Sequence, residues 1–251
     1  MSTFLNKYIT VSKLAAPSWV IPGTIAENCS YLAGKVDEVA LLFFETESCL
    51  AYTDKDLPCE LLETGLSFHI HHPLDLPWHE GGVKVAEIVS ALARKASHLR
   101  PEGHVVHPPE CGPDAGDLIF EFADALNRGA IDPSDVLLEN IKDNSLAGLS
   151  GVIRDCGFKI CLDLGHILAY AQHSIFEHCE FEGLVSMLHL NAPGVGGRHE
   201  SLDKLNTDGI MILDKMFALL SENGTVTVEV FDEKGFFNSL QFLEEYCMGK
   251  E

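Results

Sequence analysis

Eight short runs rich in apolar and β-branched residues recur along the 251 residues, and each is followed by a longer stretch with helical spacing. The runs are SWVIP (18–22), EVALLFFE (38–45), LSFHIHH (66–72), HVVHP (104–108), VLLEN (136–140), KICLD (159–163), VSMLHLN (185–191) and TVTVEVF (225–231). Helical spacing fills 24–34, 56–64, 80–99, 114–128, 144–156, 166–173, 202–222 and 234–247. Strands that read as continuous apolar runs are buried on both faces, and with helices between them they form a parallel sheet. Eight such units in a chain of this length predict a (β/α)8 barrel, one domain over residues 1–251. A doubly wound open sheet is the other architecture, but it carries a glycine-rich phosphate loop after its first strand. The nearest candidate, GVGG (194–197), follows the seventh run and lacks the dinucleotide spacing, so no organic cofactor is expected.

The ends of these runs are polar in a consistent way. The second ends in Glu45, the third in His69, His71 and His72, the fourth in His107 and the fifth in Glu139. The sixth ends in Asp163 with His166 just beyond; the seventh carries His189 and Asn191, and the eighth Glu229. A barrel builds its site at the C-terminal ends of its strands, so residues far apart in sequence meet on one rim. Histidine, aspartate and glutamate together bind a divalent cation such as zinc or manganese, one to three ions being expected here. A bound cation also neutralises carboxylates that could not otherwise share a site.

Each residue alone has a plainer explanation. In KICLDLGHILAY, Asp163 can cap the helix that follows, Glu139 can accept backbone hydrogen bonds, and a lone His107 or His189 is commonly a core residue. The coincidence at six strand ends is what favours a metal site. His98, His104, His173 and His178 lie in helices or at a strand start and are read as structural. His69 and His71 share one side of their strand because side chains alternate, so they are preferred over His72 as ligands.

Lysine and arginine total 17 against 38 acidic residues, a formal charge of −21. Binders of nucleic acid draw affinity from basic residues that displace phosphate counterions, so a long polyanion is not expected as a partner. Eight scattered cysteines without a C-x-x-C pair, the lack of an apolar run long enough for a membrane span and the absence of a signal-like N-terminal segment lead to the expectation of a reduced, cytoplasmic protein.

As a set, these motifs resemble the apurinic-endonuclease branch of the xylose isomerase-like superfamily of TIM barrels. The matching positions are His69 or His71, His107 in VVHPP, Glu139 in LLENI, Asp163 and His166 in DLGH, His189 in LHLN, and Glu229. RHESL (198–202) resembles a late motif in which a D-x-H pair completes a third metal site; His199 matches its histidine, and Gly197 replaces its aspartate. PSWVIPGTIAENCSYLAGKVDEVALLFFE and HIHHPLDLPW are similar to the cobamide-remodelling phosphodiesterases of that superfamily. The resemblance implies metal-dependent hydrolysis of the nucleotide-loop phosphodiester of a cobamide, giving cobinamide phosphate and an α-riboside.

On that reading Glu139, Asp163, His189 and Glu229 form the principal metal site, and Glu139 bridges to a second ion held by His71 and His107. His166 and His199 bind a third ion or contact the leaving oxygen, and Arg198 orients the phosphate. Trp19 and Trp78 either stack on the substrate or anchor the core. Glu139, Glu229, His166 and Arg198 are the expected catalytic residues. Two rivals stand beside it: a sugar isomerase or epimerase using one metal on the same set, and a non-enzymatic cobamide or metal carrier. The first leaves His71, His107 and His166 without a role and lacks a lysine at a strand end; the second lacks a D-x-H-x-x-G loop.

Overall fold

In the computed structural model, which describes residues 11–177 and 181–249, eight parallel strands close into a barrel. They are β1 (Val11–Pro17), β2 (Glu38–Leu42), β3 (Ser67–His71), β4 (His104–Val106), β5 (Val136–Glu139), β6 (Lys159–Asp163), β7 (Val185–Leu190) and, after a short antiparallel pair β8 (Ala192–Pro193) and β9 (His199–Glu200), β10 (Gly224–Val228). The sequence order is kept around the ring, and β10 lies between β7 and β1. His178 and Cys179 fall outside the described residues, as do residues 1–10 of the N-terminal segment read for a signal sequence. No described helix is long and apolar enough to cross a membrane.

The helices are α1 (Ile25–Leu32), α2 (Thr46–Leu50), α3 (Gly82–Ala96), α4 (Ala115–Asn127), α5 (Ser150–Cys156), α6 (Leu164–Ala169), α7 (Thr207–Leu219) and α8 (Glu233–Met248). Side-chain acceptors set several of their starts: Thr24 and Glu27 form a capping box on α1, and Asn206 and Asp232 cap α7 and α8. Between barrel and helices lies the main apolar core, including Leu41, Phe68, Val89, Phe122, Leu138 and Leu188.

The barrel interior is layered by the two-residue side-chain period. Val105, Leu137, Cys161 and Met187, from β4 to β7, form a separate buried cluster. Two residues further along the same strands stand His107, Glu139, Asp163 and His189, on the same face and one layer higher. Asp163 is in register with His189, and His189 with Thr227; Glu229 stands two residues beyond Thr227, on the same side by the two-residue period.

The first strand is a correction. SWVIP (18–22) is not a strand; it is a turn whose Val20 and Ile21 N–H groups donate to Asn28 Oδ1 at 2.7 and 2.9 Å. The sheet position belongs to VSKLAAP, where Ala15 and Ala16 are buried. The stretch expected as a helix over 144–156 is helical only from Ser150. Asn144 Oδ1 accepts from Leu146 N at 2.8 Å, and Leu146 sits at φ +65°, a turn that α-helix geometry excludes.

Candidate metal centre

Four side chains from four strand ends converge. Glu139, Asp163, His189 and Glu229, all buried, each offer one donor atom, and these atoms lie within 4.8 Å of one another. A second group, His71, Glu139 and His189, meets the same distance and shares Glu139 with the first. Glu139 Oε2 is the common point, 3.1 Å from His71 Nε2, 3.3 Å from His107 Nε2 and 3.5 Å from His189 Nδ1. Glu229 approaches His189 Nδ1 at 3.4 Å and His199 Nδ1 at 3.3 Å through Oε2.

Three buried carboxylates this close repel one another unless positive charge lies among them. Burial alone would raise Glu139, but the imidazoles of His189 and His107 hold it well below the usual carboxylate range. Glu229 is held down in the same way, against burial, by His189 and His199. Asp163 goes the other way: burial and the charges of Glu229 and Glu139 raise it against the pull of His166. Both ring nitrogens of His189 and Oε2 of Glu229 are buried without a hydrogen-bond partner. A divalent cation fits this set, because it supplies the charge the carboxylates need and takes the lone pairs that nothing else engages.

Neighbouring groups aim the donors. His71 Nδ1 is 3.1 Å from the His72 carbonyl oxygen, which turns Nε2 toward Glu139. Asn140 Oδ1 accepts from Asp163 N at 2.7 Å, and its Nδ2 donates to Gln172 Oε1 at 2.9 Å. Asp163 is cap and cluster member at once: Oδ1 accepts from His166 N at 2.5 Å and begins α6, while Oδ2 accepts from Asn191 Nδ2 at 2.8 Å. Gly165 makes that second bond possible, since a Cβ there would lie 1.8 Å from Asn191 Oδ1. Gly165→Ala should therefore displace Asn191 and weaken metal affinity about 10–100-fold, the range for losing an outer partner of a ligand. Titration with a chromophoric zinc chelator measures this; unchanged affinity would contradict the orienting role.

His166 and His199 stand outside both groups. Their Nδ1 atoms lie 2.8 Å from Asn140 O and 3.0 Å from Glu229 O, leaving Nε2 the free nitrogen of each ring. The rings meet edge-on at 6.0 Å, and His199 stacks on Phe231 at 4.9 Å. Glu229 and Asp163 hold His199 up at about 9, against the opposing effect of burial. Gly197, at φ +80°, places no donor beside them, and the exposed Arg198 follows it at the lip.

Three expected rim residues are elsewhere. His69 is a correction: it points into the barrel one layer below His71, with Nδ1 2.5 Å from Glu38 Oε1. Glu38 also meets Lys13 at 2.9 Å and Ser67 Oγ at 3.1 Å, and Lys13 pairs with Glu102, so His69 belongs to the opposite mouth. His72 faces outward, 3.1 Å from His104 Nδ1. Glu45 is exposed before α2 and accepts from Ser48 Oγ at 3.2 Å. His98, read as structural, lies 2.9 Å from the Leu57 carbonyl oxygen. The orienting work of Asn140 and Asn191 leaves one trace in the sequence, an amide within two residues of a predicted ligand, whereas Gln172, six residues beyond His166, leaves none.

Above the cluster is a cavity of about 320 Å3, lined by His71, His107, Glu139, His166, His199 and Glu229 below and by Leu42, Phe44, Leu74 and Phe231 at the walls. Phe44, Leu74 and Phe231 are exposed, and Trp19 stands edge-on to Phe44 at 6.0 Å. Arg198 is the one basic residue among the described residues that line it, apart from the histidines.

No protein-family model matches the sequence, and no curated protein matches it either. Solved structures do match in fold. A D-tagatose 3-epimerase-like protein superposes with a TM-score of 0.67 at 17% identity, over 95% of this chain and 98% of that one. Endonuclease IV from Thermus thermophilus gives 0.68 at 18%, over 94% and 99%. The IOLI protein with a bound zinc atom gives 0.62 at 11%, over 95% and 96%. The fold is thus a TIM barrel of the kind these proteins and a xylose isomerase domain protein share.

Proposed function

We propose that this chain is a metal-dependent phosphodiesterase acting on the nucleotide loop of cobamides. The observation that carries this reading is Glu139, shared between a four-residue donor set and a His71–His107 pair, beneath a cavity with apolar walls and one arginine. Glu139, Asp163, His189 and Glu229 would hold one ion, and His71 and His107 with Glu139 a second. Zinc, found in one protein of the same fold, suits such nitrogen and oxygen donors. Bound there, divalent ions supply Lewis-acid polarisation of a phosphoryl oxygen and a water of lowered pKa.

The protein's own groups do the rest. Arg198 at the lip is placed to take phosphate oxygens in its fork. His166 and His199 present their Nε2 atoms to the cavity, where either donates to the leaving oxygen. Two histidines on Glu139 beyond the four-residue set weigh for phosphoryl chemistry over the epimerase chemistry named for one fold neighbour. The formal charge of −21 suits a substrate with one phosphodiester rather than a polyanion, so neither nucleic acid nor membrane is a proposed partner.

Hydrolysis adds water across one P–O bond: the water oxygen joins phosphorus, and the riboside oxygen leaves with a proton. The phosphate stays on the corrin fragment. Incubation of adenosylcobalamin with metal-loaded protein in oxygen-18 water should give cobinamide phosphate with one heavy oxygen and an unlabelled α-riboside. Label on the riboside, or cobyric acid as product, would show that a different bond breaks.

A further inference from the structure

Resting on the phosphodiester reading, we propose that the groove beside the metal cavity is the subsite for the nucleoside arm of the substrate, an aromatic base on its ribose with no second phosphate. This groove, of about 550 Å3, opens directly off the metal cavity: Leu74 and His107 line both. A group esterified to a phosphorus above Glu139 therefore enters it without leaving the protein surface. Its size falls within the roughly 300–1,000 Å3 of small-molecule sites.

The walls suit a flat ring. Leu76, Trp78, Pro108, Pro109, Leu118 and Ile141 supply apolar surface. Trp78 is fixed before any ligand arrives, since its Nε1–H donates to the His107 carbonyl oxygen at 2.9 Å and its ring stands edge-on to Phe122 at 5.4 Å. A pre-set indole spares the ordering cost that a mobile side chain would impose on binding. The same hydrogen bond joins the groove to His107, the residue facing Glu139, so the subsite and the metal cluster share a backbone anchor.

Apart from His79 and His107, the polar part is acidic. Glu110, Asp114 and Asp143 are exposed along it, and the described residues lining the groove include no lysine or arginine. Asp114 precedes α4 without a side-chain capping bond, so its carboxylate is open to a ligand. Carboxylates accept hydrogen bonds from ribose hydroxyls and repel a further phosphate. Arg198 lines the central cavity and not this groove, so positive charge is confined to the scissile phosphate. The exposed Trp19, Phe44 and Phe231 are left to the bulkier arm.

The test uses the metal-loaded Trp19→Phe protein, in which Trp78 is the remaining tryptophan. Titration with the α-riboside of dimethylbenzimidazole should change Trp78 emission saturably. Gly112→Phe, at a groove position where a Cβ meets no heavy atom within 4 Å, should weaken that binding at least tenfold. Asp114→Ala with Asp143→Ala should weaken it several-fold. No emission change at millimolar riboside, or binding indifferent to both sets of substitutions, overturns the subsite. Neither outcome depends on turnover: hydrolysis of adenosylcobalamin without riboside binding here would leave the phosphodiesterase reading standing and remove the groove from it.

Discussion

Glu139→Ala is expected to retain the barrel, lose most of its bound metal and lose turnover by well over a hundredfold. Loss of a mere outer partner of a metal ligand typically costs about 10–100-fold, and Glu139 is the group that both candidate ion sites share. Its Oε2 lies within 3.5 Å of His71, His107 and His189, so its removal separates the two halves of the centre rather than weakening one. Metal per chain by atomic emission, read beside the rate on adenosylcobalamin, checks this. Chelator-treated wild-type protein should be equally inactive and should recover when zinc or manganese is restored. Full activity in either metal-poor protein would mean that the cluster is a structural feature and the chemistry lies elsewhere.

The second large effect falls at the other mouth of the barrel, where Glu38→Gln should cost about 3 kcal/mol of stability at pH 7 and leave metal content unchanged. Burial would raise the Glu38 carboxyl, but the hydrogen bond and charge of His69, and then those of Lys13, bring it down to about 2. A carboxyl lowered from 4.5 to about 2 contributes about 3 kcal/mol when ionised. Because the folded-state value is depressed, that contribution is complete above about pH 4.5 and is lost as the pH falls toward 2. Urea unfolding of both proteins at several pH values measures the difference. It should be widest near neutrality and close in acid; a gap that stays constant to pH 2 would show that Glu38 acts through packing and not through its charge.

All the barrel strands after the first were legible because each is a continuous apolar run between helical stretches. The first was not, since KLAAP lacks the β-branched residues that mark its neighbours while SWVIP has them. Asn28, eight residues on from Val20, decides the matter by capturing the turn's N–H groups, and a single-run pattern does not contain that contact. The rim was legible for a related reason: a charged residue that ends an apolar run is conspicuous. Depth was not. The two-residue period puts His69 and His71 on one side of β3, but their levels differ by a full layer, and Glu38, at the start of the neighbouring strand, is what claims His69. The orienting roles of Asn140 and Asn191 stayed hidden because asparagine at a strand end is also an ordinary turn former, and Gln172, beyond the helix after β6, stands near no strand end that would mark it.

The order in which the donors occur along the chain has a consequence for assembly. His71, His107, Glu139, Asp163, His189 and Glu229 come from successive segments of the ring, and Glu229 arrives with β10, the strand that closes against β1. Contacts so distant in sequence form only once the loops between them have been drawn in. A nascent chain therefore offers the four-residue site no full set of donors until the last strand has docked. Because a ligand stabilises only the state that binds it, the ion of the four-residue set, which needs Glu229, cannot template this barrel as zinc does a finger. It acts as a latch on a ring already closed, and a chain whose last strand stays undocked remains unlatched and open to proteases.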